Sequence, residues 1–456
     1  MEIVRVLMPV FLSIIDEVLE NVSGKTNFEE FQRRLAEKLR EVGRETTRLV
    51  LEELDQQIRQ DKKRRKGWQV HRRNESKEIL TQFGMVRYER TYYKNKKTNE
   101  HAYLVDETAG YTPHQRVDTQ VKAQLVAGAA NVSYRKSAEQ TGTACGARLS
   151  GQTVMKAVRE FERPAVPEQE RKRIDTLYIE ADEDHVASQR GQRIEARLVY
   201  IHEGWAGDKR RKIKKPFYLS SVDEDTDTFW ERVWEEVDAR YDIDKIKAIY
   251  IMGDGAGWIQ RARSVFPQAE FILDRFHLKK QIKQAAGWEQ EQERKLWEAL
   301  RLNNLEKVQE AIDKTKDKAS KSRKQALQTT WKYISNQWEA IQKQNEHQEI
   351  KCSAEGHVSH VLSARLSSRP MGWSVEGARH MAYVRTCQAN GSAVTEEYIR
   401  QARNKSLPVV TIAKETIEKQ RRHLQETRET LGNIPILKWS KTYLYETLKG
   451  LAGARG

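Results

Sequence analysis

Residues 246–258 read IKAIYIMGDGAGW, an apolar run that ends at Asp254 within a glycine-rich turn. Such a run of β-branched and aromatic residues, closed by glycines, predicts a buried strand followed by a sharp turn. The turn lacks the lysine and the spacing of a phosphate-binding loop, so nucleotide binding is not expected. Its aspartate is the first candidate for chemistry at the end of a strand.

Segments on both sides of this run predict further strands and helices. Strands are expected at 174–182, 194–204, 214–222 and 269–277, and apolar residues at helical spacing predict a helix over 225–242. The resulting order is three strands, a helix, a strand, a helix and a strand. It predicts an α/β fold with a ribonuclease-H-like mixed-sheet core, in which an antiparallel meander joins strands reached by right-handed helical crossovers.

The sequence outside this core predicts a chain of seven regions. The segment 279–345 is rich in Lys, Glu and Gln without turn clusters, which indicates an all-α insertion within the core. The regions are an N-terminal helical region (1–60), a basic linker with a β-hairpin over 83–105 (61–116), a helix-turn-helix region (117–170), the first part of the core (171–278), the insertion (279–345), the final core helix (346–400) and a C-terminal helical tail (401–456).

The formal net charge of +15 is concentrated in one segment. Residues 59–97 contain 14 Lys and Arg against 4 Asp and Glu, interleaved with Trp68, Tyr88, Tyr92 and Tyr93. This combination favours a surface that contacts DNA phosphates, and the alternative is a solvated linker with a charged hairpin behind it. The predicted DNA contacts in this segment are Lys62, Lys63, Arg64, Arg65, Lys66, Arg72 and Arg73.

Residues from about 117 to 162 predict a helix, a glycine-containing break and a second helix. Ser150 is a plausible N-cap for the second helix, which would present Gln152, Thr153, Lys156 and Arg159. This pattern is typical of a helix-turn-helix, whose second helix enters the major groove of DNA. Two ordinary packed helices are the alternative.

Acidic residues fall at the ends of three predicted strands. Asp182 ends the first, Asp254 the fourth and Asp274 the fifth. Ligands of open sheets gather beyond strand ends, and Mg²⁺ prefers a few carboxylate oxygens. Two such ions roughly 3.5–4 Å apart can activate a nucleophile and stabilise the leaving oxygen of a phosphoryl displacement. We therefore expect a site for Mg²⁺ or Mn²⁺, with two ions, at this edge of the sheet.

The first of these strands contains more acids than one site needs. Strand alternation places Glu180, Asp182 and Asp184 on one side, with Glu183 and His185 on the other. Alternation alone does not choose among the first three. The end of the predicted strand favours Asp182, which leaves its two neighbours on that side as supporting or surface residues.

Another acid is expected from a helix after the insertion. Ser353 is a candidate N-cap, and apolar spacing predicts the buried face of this helix at Val358, Val361, Leu362 and Leu366. Glu355 would lie on or beside that face, and Glu376 in the next helix is the competing candidate. A first-turn glutamate also complements the helix dipole, which is the purely structural interpretation of Glu355.

Several other classes of protein are not expected. Cys145, Cys352 and Cys387 are odd in number and far apart, which argues against a disulfide framework and indicates a reducing compartment. No apolar run approaches the roughly 20 residues that span a bilayer. A serine-hydrolase motif is absent, and His357 and His360 match no structural-zinc spacing. We expect a cytoplasmic, nucleoid-associated protein.

Four segments together resemble the ISLre-two family of bacterial insertion-sequence transposases, which are DDE-type enzymes of the Mutator-like group. These segments are IEADEDHV, GDGAGWI, LDRFHL and SAEGHVSHVLSARLSSRPMGWS, and SYRKSAEQTG and LSGQTV are similar to the same family. By position, the resemblance implies Asp182, Asp254 and Glu355 as catalytic metal ligands. Asp274 and His277 match a [Cys/Asp]-x-x-His signature with a supporting role. Glu183 stands where many members have Gly, so the resemblance leaves the role of the extra acids open.

The resemblance implies a metal-dependent DNA transposase. Water would cleave DNA at terminal inverted repeats, and the freed 3′-OH would then attack target DNA in the same site. The implied partners are double-stranded DNA and a second copy of the chain, in a homodimer or a larger assembly on DNA. The alternatives are a ribonuclease-H-fold nuclease without strand transfer and a domesticated, non-catalytic DNA-binding protein.

Overall fold

The computed structural model of the protein describes residues 2–405, apart from 62–64, 66, 113, 167–169, 208–211, 288, 317–318 and 370. Most of the predicted tail at 401–456 therefore lies outside the described residues. Internal contacts divide the chain into two compact units. The first comprises Met1–Lys122, Glu139–Leu149 and the chain from Ile399 onward, and the second comprises Ala123–Ala138 and Ser150–Tyr398.

The first unit combines long helices with a three-stranded antiparallel sheet in the order β1-β2-β3. Its elements are α1 (Glu2–Val22), α2 (Phe28–Gln60), β1 (Trp68–Thr81), β2 (Gly84–Asn95), β3 (His101–Ala102) and α3 (Leu104–Thr108). Helix α2 begins where Asn27 accepts a hydrogen bond from the backbone N–H of Glu30 at 2.8 Å. It is fixed to β2 by Asp55, which accepts from the N–H and the hydroxyl of Thr91 at 2.9 and 2.6 Å.

The hairpin of this unit differs from the predicted one. Strand β1 occupies much of the segment interpreted as an exposed connector, because register shifts between Val70 and Glu75 interrupt the alternation that would have revealed it. Leu104 and Val105, expected in a strand, lie in α3 instead. Leu104, Val105 and Asp106 are all buried, which a helical turn allows and a strand with one exposed face does not.

The buried carboxylate of Asp106 yields a stability prediction. It accepts from Lys77 Nζ at 2.7 Å and from the Tyr88 hydroxyl at 2.6 Å, and Arg90 also pairs with it. We expect Asp106→Asn to destabilise the protein by about 1–3 kcal/mol, because an amide replaces one acceptor oxygen with a donor. Guanidinium unfolding checks this, with the exposed Glu78→Gln on β1 as a control expected to change stability by less than about 0.5 kcal/mol.

The second unit is built on a mixed five-stranded sheet, which confirms the predicted α/β class. Its order is β10-β9-β4-β5-β8, formed by β4 (Thr176–Ala187), β5 (Arg193–His202), β8 (Phe217–Val222), β9 (Ala248–Gly253) and β10 (Glu270–Leu273). Strands β4, β5 and β8 are antiparallel neighbours, whereas β9 runs parallel to both β4 and β10. A separate two-stranded ribbon is formed by β6 (Trp205–Ala206) and β7 (Lys212–Ile213).

Helices cover this sheet and share its core. They are α7 (Thr226–Arg240), α8 (Gly257–Gln260), α9 (Arg275–Ala286), α10 (Gln290–Arg301), α11 (Leu305–Lys316), α12 (Lys321–Asn336) and α13 (Trp338–Glu346). Leu177 and Ile179 of β4, Trp230 of α7 and Leu327 of α12 belong to one buried cluster. The helices within 279–345 therefore pack onto the same hydrophobic core as the sheet.

The remaining helices of the chain include three where two were predicted. These are α4 (Thr119–Ala129), α5 (Tyr134–Cys145) and α6 (Gly151–Glu160), because the chain breaks at 130–133 and Ser133 caps α5 through the N–H of Lys136 at 3.2 Å. Beyond α13 come α14 (Ala354–Val358), a π-helical turn (Ser359–Ser363), α15 (Ala364–Leu366), α16 (Val375–Ala389) and α17 (Val394–Lys405). No helix in the described ranges is long and apolar enough to cross a membrane.

Candidate active site

The first candidate ligand, Asp182, lies within β4 rather than at its end. The strand continues to Ala187, paired with β5, so the predicted end at 182 is wrong. The parallel pairing with β9, however, ends at Glu180 and Met252. Asp182 thus lies where the neighbouring strand has already turned away, which opens the sheet beside it. The antiparallel partner β5 explains the extra length of β4, because it supplies backbone hydrogen bonds on the other side.

Asp254 follows the last residue of β9, as predicted. Its Oδ1 accepts from the N–H of Ala256 at 2.8 Å, which shapes the turn. Space requires a glycine at position 253, because a Cβ there would lie 2.8 Å from the Ala181 carbonyl oxygen. A Cβ on Gly255 would meet the Gln337 amide at 2.5 Å, which is the end of a flexible side chain. Gly255 also has a φ of +88°, a conformation that glycine adopts readily.

Asp274 and His277 form a pair at the start of α9. Asp274 caps this helix through the N–H of Phe276 at 3.0 Å, and its Oδ2 lies 2.8 Å from His277 Nδ1. This hydrogen bond raises the pKa of His277 above its ordinary value. A carboxylate on Nδ1 also fixes the tautomer in which Nε2 is free to bind a metal.

Glu355 lies in the first turn of α14. Val358, Val361, Leu362 and Leu366 are buried, as predicted, and Val361 and Leu362 lie within the π-helical turn. Ser353 precedes the helix, but its side chain does not cap it, and its hydroxyl lies 2.9 Å from the Tyr200 hydroxyl. The side chain of Glu355 is 57% exposed and its Oε2 is 3.8 Å from His277 Nε2.

The structure brings Asp182, His277 and Glu355 together into one group. One potential ligand atom from each lies within 4.8 Å of the other two. Asp254 is not part of that group, although its charge contributes to raising the pKa of Asp182. Glu376, the competing acid, instead lies 3.2 Å from Arg159 Nε. Of the two glutamates, Glu355 is therefore the one beside the other candidates.

The electrostatics of this group suit a divalent cation. Asp182 is only 6% exposed, and its Oδ2 has no hydrogen-bond partner among the described residues. Burial raises the pKa of Asp182 to about 7, and the nearby carboxylates of Glu355 and Asp254 contribute in the same direction. A cation would compensate both effects. The two carboxylates fit Mg²⁺ or Mn²⁺, whereas the imidazole of His277 is a ligand typical of transition-metal ions. Because Asp182 must lose its proton to bind, affinity should rise with pH.

Two helices of the predicted insertion hold the loops of this site. The Tyr333 hydroxyl of α12 donates to the Asp254 carbonyl oxygen at 2.8 Å, and Gln337 Nε2 donates to that of Gly255 at 3.0 Å. Gln344 Nε2 of α13 donates to the carbonyl oxygen of Leu273 at 3.0 Å. The backbone after β9 and β10 is thus fixed by side chains from outside the sheet. The sequence contained no signal for these contacts.

Glu180 has a larger structural role than the sequence indicated. It is fully buried, so the surface interpretation is wrong. Its carboxylate accepts hydrogen bonds from the Tyr200 hydroxyl and from the Ser353 N–H, each at 2.5 Å. It also pairs with His202 Nε2 at 3.0 Å. Burial raises the pKa of Glu180, but the hydrogen bonds from His202 and Tyr200 outweigh it and leave the pKa below its ordinary value.

The other acids of β4 are also accounted for. Glu183, on the opposite face, accepts from Trp258 Nε1 at 2.7 Å, and burial raises its pKa. Asp184 shares the face of Asp182 and has a buried Oδ2 for which the described part of the chain offers no hydrogen-bond partner. Among the described residues of β4, Asp184 is therefore the one other acid on the face of Asp182 that has a carboxylate oxygen without a hydrogen-bond partner.

The predicted DNA contacts of the first unit are described in part. Lys62, Lys63, Arg64 and Lys66 lie outside the described residues. Arg65 donates to the carbonyl oxygens of Arg59 and Trp68 at 3.2 and 3.0 Å, which is a structural role. Arg72 and Arg73 are exposed on β1, and Arg72 lies 3.0 Å from Glu75.

Two of the four aromatic residues named in the basic segment are not available to DNA, whereas Trp68 and Tyr92 are half-buried. Tyr88 and Tyr93 are 1% and 0% exposed and belong to the core of the hairpin. Their hydrophobic contacts explain why they recur at strand spacing, so this part of the argument for a nucleic-acid surface is wrong. Tyr92 is half-buried and lies beneath the Arg72 guanidinium at 5.2 Å.

The predicted helix-turn-helix residues lie on α6 in the second unit. Ser150 caps this helix, as predicted, by accepting from the N–H of Thr153 at 3.2 Å. Gln152 and Lys156 are exposed. Arg159, which was also expected to face DNA, pairs instead with Glu376 of α16. The exposed pair remains available for DNA contacts.

Comparison with known proteins identifies relatives along almost the whole chain. The sequence pattern of the Uncharacterised protein family (UPF0236) matches residues 21–402. A UPF0236 protein of Caldanaerobacter subterraneus subsp. tengcongensis is 38% identical over 453 residues, which cover 98% of this chain and 97% of the relative. A second UPF0236 protein of that bacterium is 36% identical over 451 residues, 97% of this chain and 95% of the relative. The chain therefore belongs to the UPF0236 family.

Proposed function

We propose that this protein is a DDE-type transposase of the ISLre-two group, which cleaves DNA at terminal inverted repeats and joins the freed ends to target DNA. One observation carries the proposal: Asp182, His277 and Glu355 come from a strand and two helices far apart in the chain, yet their ligand atoms lie within 4.8 Å of one another. Side chains that converge in this way from separate elements are typical of a metal-dependent active site, and the Oδ2 of buried Asp182 has no hydrogen-bond partner among the described residues.

The topology of the sheet supports a ribonuclease-H-like core. Three antiparallel strands are followed by two strands parallel to the first, in the order β10-β9-β4-β5-β8, as expected for that fold. The candidate acids lie at the edge where β9 and β10 end, which is the position that ligands take in open sheets. The helices of 279–345 follow the second aspartate and precede the glutamate, as the resemblance to transposases implies.

The names of the relatives support a mobile element. One UPF0236 protein of Caldanaerobacter subterraneus subsp. tengcongensis has a name that joins eleven gene designations, and another has a name that joins four. A protein encoded many times in one genome is typical of a sequence that copies or moves itself. This supports transposition over a housekeeping nuclease.

The residues of the site would have distinct roles in this reaction. Asp182, Glu355 and Asp254 would hold two Mg²⁺ or Mn²⁺ ions, which supply Lewis-acid stabilisation of the attacking and leaving oxygens when bound. Asp274 holds His277 at Nδ1 and so directs Nε2 toward the same space. The hydroxyl of Tyr333 and the amide of Gln337 keep the loop that carries Asp254 in place.

The DNA partners would be held outside this group of ligands. Arg72 and Arg73 of the hairpin, and Gln152 and Lys156 of α6, are exposed side chains able to contact phosphates and base edges of the terminal repeats. Two DNA ends are processed together in transposition, so we propose that a homodimer or a larger assembly forms on DNA. No step requires a covalent link between protein and DNA.

The test uses the full chain and a linear DNA that contains its own gene with the native flanking sequence. We expect Mg²⁺- or Mn²⁺-dependent cleavage at the gene's borders and, with a target plasmid present, joined products. Glu355→Gln should lower the cleavage rate by at least about 100-fold, because the lost interaction acts in the transition state. Glu376→Gln is the matched control, since it removes an exposed helical glutamate engaged with Arg159 and should leave the rate within about twofold.

The outcomes separate the candidate functions. Cleavage without joined products would indicate a ribonuclease-H-fold nuclease, and border binding without cleavage in either metal would indicate a domesticated DNA-binding protein. Loss of activity in Glu376→Gln but not in Glu355→Gln would reverse the assignment of the third acid.

A further inference from the structure

Helix α9 begins in the candidate active site and presents an exposed aromatic ring there. Phe276 lies between Asp274 and His277 in the chain, and its side chain is 53% exposed, although its ring contacts the His277 ring at 5.4 Å between centroids. A single exposed phenylalanine is common on a protein surface, but this one lies in the chain between two residues of the candidate site, Asp274 and His277. Its position next to the reacting groups points to a substrate contact.

The same face of α9 is basic. Lys279, Lys280 and Lys283 follow Phe276 at spacings of three, four and seven, so the four side chains share one exposed face. The opposite face is buried through Leu278, Ile282, Ala285 and Ala286. Within the part of the chain that the structure describes, none of these three lysines is paired with a carboxylate. Positive charge on this face is therefore available to an outside partner.

This arrangement addresses an electrostatic difficulty of the site. The carboxylates of Asp182, Asp254 and Glu355 repel the phosphates of a nucleic acid, even where cations partly neutralise them. Unpaired lysines along a helix that starts at the site provide compensating attraction within roughly 10 Å, given a rise of 1.5 Å per residue. A basic track beside an aromatic ring is the combination that binds unpaired nucleotides, since bases stack on the ring while cations contact the backbone.

We propose that the exposed face of α9 holds the DNA strand next to the reacting phosphodiester, with Phe276 stacked on a nucleobase that is unpaired there. Lys279, Lys280 and Lys283 contact the phosphates of the same strand. This proposal rests on the proposed function and adds that the reacting end is locally unpaired in the active site. A base within an intact duplex is stacked on its neighbours, so the ring selects DNA whose end has opened.

The test measures binding in EDTA, so that cleavage plays no part. Two fluorescent oligonucleotide duplexes carry the border sequence of the gene, one fully paired and one with three unpaired nucleotides at the end. A 2-aminopurine replaces one of the three, because its fluorescence reports stacking. Phe276→Ala should weaken binding to the unpaired duplex about 5- to 100-fold and leave the paired duplex within about twofold. Phe276→Trp should retain the preference and the fluorescence change.

Control variants separate stacking from charge and from folding. Phe28→Ala removes a comparably exposed phenylalanine of the first unit, 61% exposed, and should change neither affinity. Combined Lys279→Ala, Lys280→Ala and Lys283→Ala should weaken both duplexes and reduce the salt dependence of binding by up to about 3 in the log–log slope. Lys332→Ala removes one exposed lysine of α12 and is the control for the loss of a surface charge outside α9.

The results distinguish failure of this proposal from failure of the proposed function. If Phe276→Ala lowers both affinities equally, or neither, the stacking proposal is overturned even when the wild-type protein cleaves and joins DNA. If the preference for the unpaired duplex depends on Phe276 but no cleavage occurs in metal, the strand contact stands and the transposase assignment fails. Wild-type protein that binds neither duplex overturns both.

Discussion

Asp182→Asn is expected to abolish cleavage of the gene's borders while leaving the protein folded. The carboxylate of Asp182 is the buried member of the group with His277 and Glu355, and its Oδ2 has no hydrogen-bond partner within the described chain. Loss of this ligand removes several kcal/mol of transition-state stabilisation, which corresponds to roughly a 1,000-fold lower rate or more. Initial rates of cleavage in Mg²⁺ and in Mn²⁺ measure the effect.

The stability of the same variant provides the control. Burial raises the pKa of Asp182 from 3.8 to about 7, so its ionised form disfavours the folded state. In EDTA, the contribution of Asp182 to the stability of the wild type should therefore fall as pH rises from about 4 to about 7, since the folded state binds this proton more tightly. Asp182→Asn has no group that ionises at this buried position and should melt at least as high as the wild type at pH 8. A variant that melts much lower at pH 8 would contradict this account.

Glu180→Ala is expected to destabilise the protein by about 3–5 kcal/mol. Its removal leaves the Tyr200 hydroxyl, His202 Nε2 and the Ser353 N–H without their shared acceptor in a fully buried position. Thermal melting and guanidinium unfolding of the full chain measure the loss. Asp175→Ala is the matched control, because that carboxylate is 75% exposed, pairs with exposed Lys247 and should contribute less than about 1 kcal/mol.

The conservative variant Glu180→Gln separates stability from positioning. It should cost less, about 1–3 kcal/mol, because one acceptor oxygen remains. The pKa of Glu180 lies below 4.5, so its contribution is present at neutral pH and is lost as pH falls through that depressed value. The stability difference between wild type and Glu180→Gln should therefore narrow in acid. A difference that widens there would contradict the assigned direction of the pKa shift.

The strand at 248–253 could be predicted from the sequence because it is a continuous apolar run that ends at a glycine. The helix at 225–242 could be predicted as well, because its apolar residues recur at helical spacing. Both elements contribute to one hydrophobic cluster. The basic hairpin could not be predicted in full, since β1 is polar along much of its length and bulged between Val70 and Glu75. Pairing with β2, which is a tertiary interaction, determines that strand.

Two of the three predicted metal ligands, Asp182 and Glu355, lie in the group that the structure brings together, whereas Asp254 lies outside it. Asp182 and Glu355 were singled out by position and resemblance, and the structure brings them together with His277, which was expected only in support. Two sets of hydrogen bonds could not be predicted from the sequence. One is the set of hydrogen bonds that Glu180 makes with residues 200 and 202 and with Ser353, because these partners lie in other segments of the chain. The other is the hydrogen bond from α12 that holds the Asp254 loop, for the same reason.

The hydrogen bond between Glu180 and the Ser353 N–H joins residues 173 positions apart, and this separation has a consequence during synthesis. As the chain leaves the ribosome, β4 is complete long before its buried glutamate can meet that amide. The segment that supplies this N–H also carries Glu355. The hydrogen-bond donor for Glu180 and the candidate ligand Glu355 are therefore synthesised together. A nascent chain that ends before residue 353 lacks both this N–H and Glu355, so under the proposed function it is not yet able to cleave DNA.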